Sequence, residues 1–241
     1  MIQKVKKVSC KGTKEMEICS AAGRIVTVEG EDKVYLEEGE PLGRIEMDGI
    51  SAVEPCAGRI IVGGETSQVK FAMKRVSKEG KKSTVLSGSY LDESGQERYT
   101  MTNEAKIQKT FWIFTTGYQY YVLEDKLKGR SYRVDNITFA ADMHYYYLRD
   151  EAGKLLAVIY KPYRERGRDE YHLYTKLPEI QEALLFVTAY MDNFFYPYNS
   201  AFISDLDEYV DNEAYEVSDD ELLQLYDESF ERSVILDERE N

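Results

Sequence analysis

The chain has 241 residues, of which 43% are apolar or aromatic, and a formal net charge of −13. The net negative charge comes from the C-terminal end of the chain. Residues 1–200 contain 29 acidic and 29 basic side chains, whereas residues 201–241 contain 15 acidic and 2 basic ones. A neutral body with an acidic end lacks the basic surface that nucleic-acid binding requires, so we expect no nucleic-acid partner.

Apolar and polar residues alternate with a period of two from Lys4 to about Tyr174. This pattern predicts about a dozen short β-strands, for example at 15–20 and 24–29, with Gly23 as a turn between those two. Helical segments do not alternate with the strands. The pattern therefore favours an antiparallel barrel or sandwich over a parallel α/β sheet.

Two segments in this region repeat the same turn chemistry. Asp92-Glu93-Ser94-Gly95 and Asp150-Glu151-Ala152-Gly153 each separate two apolar runs. Aspartate hydrogen-bonds to nearby backbone amides, and glycine adopts the positive φ that tight hairpins demand. We predict two similar hairpin turns.

The strongest architectural signal is the segment 178–195. Pro178 suits the first position of a helix, and from Ala183 to Met191 only Thr188 is polar. A helix that is apolar on all sides is enclosed by protein or by membrane. Its apolar centre is about half of the ~20 residues that span a bilayer, so we predict a core helix and no transmembrane segment.

The composition changes after Tyr198. Residues 199–241 form an acidic arm in which Ser218-Asp219-Asp220-Glu221 is a capping box for a short amphipathic helix. We therefore divide the chain into a body, residues 1–198, and this arm. Four apolar residues recur at helical spacing: Leu222, Leu225, Tyr226 and Phe230. They are candidates for binding a protein partner, and the alternative is that they dock this helix on the body.

The order of elements in this chain, a run of strands followed by one apolar C-terminal helix, resembles that of the tubby C-terminal-like superfamily. This superfamily includes tubby proteins, LURP-one-related proteins and phospholipid scramblases. The likeness rests on the hairpin 145–161, the strand 169–174 and the helix 179–195. The resemblance implies a closed, twelve-stranded antiparallel barrel with the helix through its centre. It also implies a binding or scaffold protein, with an anionic phospholipid as the ligand. The superfamily's phosphoinositide site has no position-by-position match here, and the acidic arm departs from the family pattern.

Two basic loops are the candidate anion sites. One holds Lys126, Lys128, Arg130 and Arg133, and the other holds Lys161, Arg164, Arg166 and Arg168. Clustered basic side chains attract acidic lipid headgroups or phosphate groups, although solvated loops carry such clusters as well. A third reading has the acidic arm fold back on these loops and screen them.

Catalytic and metal-binding patterns are weak. The two histidines, His144 and His172, both lie in predicted strands, where a structural role is the commoner one. No zinc spacing, phosphate-binding glycine loop or nucleophile elbow occurs in the sequence. We expect no cofactor, no metal and no enzymatic activity, and a hydrolase that uses one of the histidines ranks behind the two binding hypotheses.

Cys10, Cys19 and Cys56 leave an odd thiol and form no C-x-x-C pair. The N-terminal residues have positive charges but no apolar stretch after them, so no signal peptide is predicted. Both observations favour a cytoplasmic protein with reduced thiols.

Overall fold

The structure is a computed structural model. It describes residues 1–11, 13–28, 31–49, 55–78, 81–109, 115–140, 143–162 and 169–196. The acidic arm lies outside the described residues, and so do its four candidate partner-binding residues.

Twelve strands form one closed antiparallel barrel, which confirms the predicted fold class. The strands are β1 Ile2–Lys11, β2 Thr13–Val28, β3 Glu31–Met47, β4 Cys56–Val62, β5 Glu65–Lys78, β6 Lys81–Leu91, β7 Glu97–Lys109, β8 Thr115–Asp125, β9 Arg130–Ala140, β10 Met143–Arg149, β11 Leu155–Pro162 and β12 Glu170–Thr175. Each strand pairs with the next one along the chain. The barrel closes where β1 pairs with β12, from Ile2 opposite Tyr174 to Lys6 opposite Glu170. Closure removes the exposed strand edges that promote aggregation.

The predicted core helix occupies the barrel interior. A 3₁₀ turn, Pro178–Ile180, leads into helix α1, Gln181–Phe195. Every residue from Ala183 to Phe194 is buried, as expected for a helix without a polar face. The prediction of an enclosed helix over 178–195 is confirmed.

Aromatic rings fill the space between α1 and the strands. Phe186 packs against Tyr90, Tyr99 and Phe71, with ring centroids 5.9 to 6.4 Å apart. Tyr190 donates a hydrogen bond to the Leu86 carbonyl at 2.9 Å. Beside it, a Cβ on Gly88 would lie 2.8 Å from the Tyr190 ring, so only glycine lets the helix approach β6 this closely.

The two ends of the barrel are distinguished by the direction of α1. At the helix-entry end, β12 stops at Thr175, and the β6–β7, β8–β9 and β10–β11 turns lie there. At the helix-exit end, α1 stops at Phe195, and β1 and β12 are joined by a backbone hydrogen bond from Lys7 to Asp169 at 3.0 Å.

The two similar turns are confirmed. The Asp92 carboxylate accepts hydrogen bonds from the backbone amides of Ser94 and Gln96, at 2.9 and 3.0 Å. The Asp150 carboxylate accepts the equivalent bonds from Ala152 and Lys154, at 3.0 and 2.9 Å. Gly95 and Gly153 follow with φ of 80° and 82°. The same local chemistry therefore builds both turns.

The turn predicted at Gly23 is wrong. Gly23 lies inside β2, opposite Leu36 of β3, so the two predicted strands 15–20 and 24–29 belong to one strand. Beyond Ala21 and Glu38 the two strands pair with each other alone and extend past the barrel as a ribbon. Glycine permits a turn but does not require one, and here strand pairing determines the conformation.

Candidate functional sites

The β8–β9 turn at the helix-entry end is built around Asp125. Its carboxylate is buried and accepts hydrogen bonds from the backbone amides of Leu127 and Lys128, at 3.1 and 3.0 Å. Gly129 completes the turn with a φ of 60°. The two hydrogen bonds to Asp125 and the left-handed backbone of Gly129 together fix the conformation of this turn.

The tip of this turn combines an apolar side chain with basic ones. Leu127 is 66% exposed, and Lys126, Lys128 and Arg130 beside it are exposed as well. Lys126 contacts the Glu124 carboxylate, which partly neutralises it. Lys128 and Arg130 form no ion pair with any residue in the part of the chain that the structure describes. We call Lys126–Arg130 the basic tip.

A hollow of about 360 Å³ lies beside the basic tip, lined by Lys128, Arg130 and Tyr132. The carboxylates of Asp150, Glu151 and Glu179 line it too. With three acidic groups against two basic ones, the hollow does not attract a small anion. The tip itself is a positively charged feature at this end.

Arg133, the fourth residue of the first predicted loop, lies away from the tip on the outer wall of the barrel. Its guanidinium contacts the Asp135 carboxylate at 2.6 Å and stacks over the Tyr120 ring at 4.7 Å. Burial raises the pKa of Asp135, and the neighbouring Arg133 and Arg149 act against that rise. Arg133 therefore stabilises a buried carboxylate and is separated from the basic tip.

The structure separates the two basic loops that the sequence suggested as sites. Successive strands run in opposite directions, so the β8–β9 turn and the β11–β12 connection lie at opposite ends of the barrel. Lys161 is 3% exposed, and its ammonium contacts Asp169 at 3.1 Å and the Tyr196 ring at 4.3 Å. Its placement on an exposed basic loop is corrected: Lys161 faces inward. Arg164, Arg166 and Arg168 lie outside the described residues.

A buried ionic cluster, which the sequence did not suggest, surrounds the last turn of α1. Asp192 lies on the helix between Lys7 of β1, at 2.8 Å, and Lys14 of β2, which contacts it directly. Lys7 also contacts Asp169 at 2.7 Å and donates a hydrogen bond to the Tyr196 carbonyl. The Tyr171 hydroxyl donates to Asp192 at 2.8 Å. All four ionic side chains are at most 1% exposed.

The charges in this cluster stabilise one another. Burial alone raises the pKa of Asp192, but Lys14 and Lys7 outweigh it, and the net pKa is lowered. Burial alone lowers the pKa of Lys7, but Asp192 and Asp169 outweigh it, and the net pKa is raised. The lysines also lie at the negative end of the helix dipole. The cluster thus fastens the end of α1 to β1, β2 and β12.

The structure places the two histidines in different surroundings. His144 is buried beside the Tyr196 ring, with ring centroids 5.5 Å apart. Burial and the nearby Lys161 lower the pKa of His144 to about 4, so its ring is neutral at pH 7. His172 faces outward, and its Nε2 is 2.8 Å from the Glu170 carboxylate.

We expect His144 to make the protein less stable as the solution becomes acidic. Its folded pKa of about 4 lies below the unfolded value of 6.5, so the unfolded chain binds the proton more readily. The free energy of unfolding should have its full value above pH 6.5 and decrease by about 3 kcal/mol between pH 6.5 and pH 4. Urea unfolding at several pH values measures this, and His144→Phe should remove the fall. An identical fall in the variant would contradict this assignment.

One group of potential metal ligands occurs in the described part of the chain: Glu17, Cys19 and Glu38. Burial and the two glutamates raise the pKa of the Cys19 thiol, which disfavours the thiolate that metals bind. The Cys19 Sγ lies 4.0 Å from the Glu38 carboxylate. A weak hydrogen bond from a protonated thiol accounts for this distance without a metal ion.

Among the described residues, no helix combines the length and the apolar character that crossing a bilayer requires. Comparisons with protein-family models, with curated proteins and with solved structures found no match to this chain. The resemblance to the tubby C-terminal-like superfamily therefore stays a prediction. The partner-binding role of the acidic arm stays a prediction as well.

Proposed function

We propose that this is a non-enzymatic binding protein that attaches to anionic phospholipid surfaces through the basic tip. The observation that carries the proposal is Leu127, which is 66% exposed at the end of a constrained turn, with Lys128 and Arg130 beside it. An apolar side chain flanked by cations matches a membrane surface, where the leucine enters the acyl region and the cations meet the headgroups.

The expected strength is modest. Each unpaired basic side chain contributes about 1 kcal/mol near an acidic surface, and burial of Leu127 contributes roughly 2 kcal/mol. Together these give a dissociation constant on the order of 1 mM for one tip. We therefore expect reversible attachment that depends on lipid composition, and not a permanent anchor.

A membrane surface fits the basic tip better than a soluble phosphate compound. A soluble anion needs a concave, positively charged pocket, and the hollow beside the tip is lined by more carboxylates than basic groups. An exposed leucine gains nothing from a dissolved phosphate, whereas it gains burial in a bilayer. The tubby-like resemblance, which implies a lipid ligand, supports the same reading.

A cytoplasmic location belongs to this proposal. Cys19 and Cys56 are buried free thiols, which is the state that a reducing compartment maintains. The negative surface potential of the cytoplasmic leaflet would attract the basic tip.

Vesicle flotation of the full chain tests the proposal. We expect the protein to float with vesicles that contain phosphatidylserine, less so at moderate salt, and not with pure phosphatidylcholine. Lys128→Gln combined with Arg130→Gln should weaken partitioning about 30-fold, and Leu127→Ser should weaken it about 30-fold as well.

The matched control is Lys70→Gln combined with Lys74→Gln, two exposed lysines of β5 whose replacement changes the net charge equally. If the control loses as much vesicle binding as the tip variant does, binding depends on the net charge of the protein. That result would overturn the assignment to the tip. Competition by inorganic phosphate with no effect of Leu127→Ser would identify a phosphate site instead. Protein that never floats would remove the lipid hypothesis.

A further inference from the structure

The barrel wall is split between β6 and β7 at the helix-exit end. The ladder between these two strands stops where Ser87 lies opposite Thr102. From Lys81 to Leu86, β6 pairs among the described strands with β5 alone, and after Thr102 β7 pairs with β8 alone. Closure of a barrel removes a strand edge only where neighbouring strands pair. The segment of β6 before Ser87 therefore has one edge without a strand partner in the described part of the chain.

Side chains take the place of the missing strand at the point of the split. The Asn103 Nδ2 donates a hydrogen bond to the Thr84 carbonyl at 3.1 Å, and its Oδ1 accepts one from the Leu86 amide at 2.7 Å. The Tyr190 hydroxyl donates to the Leu86 carbonyl. A carboxamide offers the same kinds of donor and acceptor as a backbone peptide group. The edge of β6 therefore accepts an amide where a neighbouring strand would lie.

This edge continues past Asn103 towards the start of β6. In an antiparallel strand, the N–H and C=O of one residue point to the same edge, and successive residues alternate between the two edges. The Thr84 carbonyl and the Leu86 amide face the split, so the Thr84 amide and both backbone groups of Lys82 face it as well. These three groups have no hydrogen-bond partner among the described strands. The Thr84 side chain is exposed, so solvent reaches this edge.

The two strands that carry this edge are basic. Beyond the split, β5 and β6 form a two-stranded ribbon, residues 72–78 and 81–87, which we call the basic ribbon. From 72 to 87 the chain has one acidic residue, Glu79, and five basic ones: Lys74, Arg75, Lys78, Lys81 and Lys82. Lys74 and Arg75 are exposed and form no ion pair with any described residue. The ribbon therefore combines an unpaired backbone edge with unpaired positive charge.

We propose that the basic ribbon binds an extended, acidic peptide segment of a partner protein as an additional strand on the edge of β6. Main-chain hydrogen bonds to the Thr84 and Lys82 backbone groups hold such a strand, as in other cases of strand addition. Carboxylates of the segment meet the lysines of the ribbon, and opposite charges on neighbouring strands stabilise a sheet. The proposal does not rest on the lipid function, because the basic tip lies at the opposite end of the barrel.

A peptide fits this edge better than other anionic or strand-forming partners do. Lipid headgroups and nucleic acids carry negative charge but no row of backbone amides and carbonyls, so they leave the edge of β6 unpaired. A second copy of this chain offers a strand edge, but two basic ribbons repel each other when they lie side by side. An acidic peptide satisfies both the backbone groups and the charge.

Fluorescence anisotropy with the full chain tests the proposal. The probe is a labelled synthetic peptide of about eight residues that alternates glutamate and valine, a length that spans the unpaired edge. We expect this peptide to bind, and the matching glutamine–valine peptide to bind about tenfold more weakly. The full chain retains its acidic arm, so binding of the probe also shows that the arm does not occupy the edge.

A third peptide separates strand pairing from charge attraction. The glutamate–valine peptide with every backbone amide N-methylated keeps its charge but has no N–H to donate, so we expect its binding to be lost. Equal binding of the methylated and unmethylated peptides would show charge attraction without strand pairing and overturn the proposal. Absence of binding by all three peptides would overturn it too, and the lysines would then serve to protect an exposed edge from self-association.

Two substitutions at Thr84 locate the contact. Thr84→Pro removes the N–H that faces the split and leaves the hydrogen bonds between β5 and β6 in place, since the Thr84 amide does not belong to that ladder. This variant should bind the glutamate–valine peptide about tenfold more weakly. Thr84→Val keeps the N–H and should bind like the unaltered protein. Equal binding by the two variants would contradict the contact, and the methylated peptide decides the outcome if Thr84→Pro fails to fold.

A pair of charge variants tests the role of the ribbon lysines. Lys81→Gln combined with Lys82→Gln should weaken binding of the glutamate–valine peptide about fivefold. The control is Lys70→Gln combined with Lys154→Gln, two exposed lysines outside the ribbon whose replacement changes the net charge equally. The control should bind the peptide normally. An equal loss in both double variants would show that net charge and not the ribbon attracts the peptide.

Discussion

Replacing Leu184 by aspartate is expected to prevent folding. Leu184 is 1% exposed in the first half of α1, inside the closed barrel. An unpaired carboxylate there loses its hydration without gaining a partner, which costs several kcal/mol in a protein whose total stability is about 5–15 kcal/mol. Soluble yield, circular dichroism and a thermal melt measure the outcome.

Leu127→Asp is the matched control, since it makes the same change on an exposed turn. This substitution should leave the melting temperature nearly unchanged. Leu184→Ala should fold and lower the free energy of unfolding by about 2–5 kcal/mol, because it leaves a cavity. A Leu184→Asp protein that is soluble and melts normally would show that α1 is not enclosed.

Asp192→Ala is expected to lower the free energy of unfolding by about 3–5 kcal/mol. The substitution leaves Lys7 and Lys14 buried at the end of α1 without the carboxylate between them. The mutual attraction of a buried pair is offset by desolvation, but removal of one partner leaves an uncompensated charge. Urea unfolding at pH 7 measures the loss. Glu104→Ala, an exposed carboxylate of β7, should change stability by less than about 0.5 kcal/mol.

The same cluster predicts how stability depends on pH. The folded pKa of Asp192 is lowered, so its contribution is present above the unfolded value of 3.8 and is lost as the pH falls through the folded pKa. The folded pKa of Lys7 is raised, so its contribution is present below 10.5 and is lost as the pH rises through the folded pKa. Asp192→Asn should flatten the acid limb below pH 4. An unchanged acid limb would contradict the role of Asp192.

Several local features could be predicted because short-range chemistry determines them. The two Asp-x-x-Gly turns depend on one side-chain acceptor and one glycine within four residues. The helix over 178–195 depends on its own uniform apolar composition, which has no solvated alternative. Alternation with a period of two identified the strands but not their ends, and Gly23 shows why: pairing across the ribbon overrides a local turn signal.

The candidate sites were harder to predict, because they depend on which side of the sheet each residue faces. Lys6 and Lys7 are adjacent in sequence, yet Lys6 is exposed towards Glu38 while Lys7 is enclosed with Asp169 and Asp192. Lys161 belongs to an apparently basic loop but faces inward. Nothing in the composition of these segments distinguishes a buried lysine from a solvated one. Asp192 and Asn193 were the available signal, since polar residues there continue a fully enclosed helix.

The sequence by itself determined a mainly antiparallel β class, the enclosed helix and the division into a neutral body and an acidic arm, since these follow from periodicity and composition. Periodicity left a barrel and a sandwich open, and the closed barrel was implied by the family resemblance alone. The tertiary structure alone decided that the two basic loops lie at opposite ends, that a buried ionic cluster holds the end of α1, and that Leu127 is exposed beside basic side chains. The physical reason is closure of the barrel. Closure fixes strand direction and register, and these decide which side chains meet across long distances in the chain.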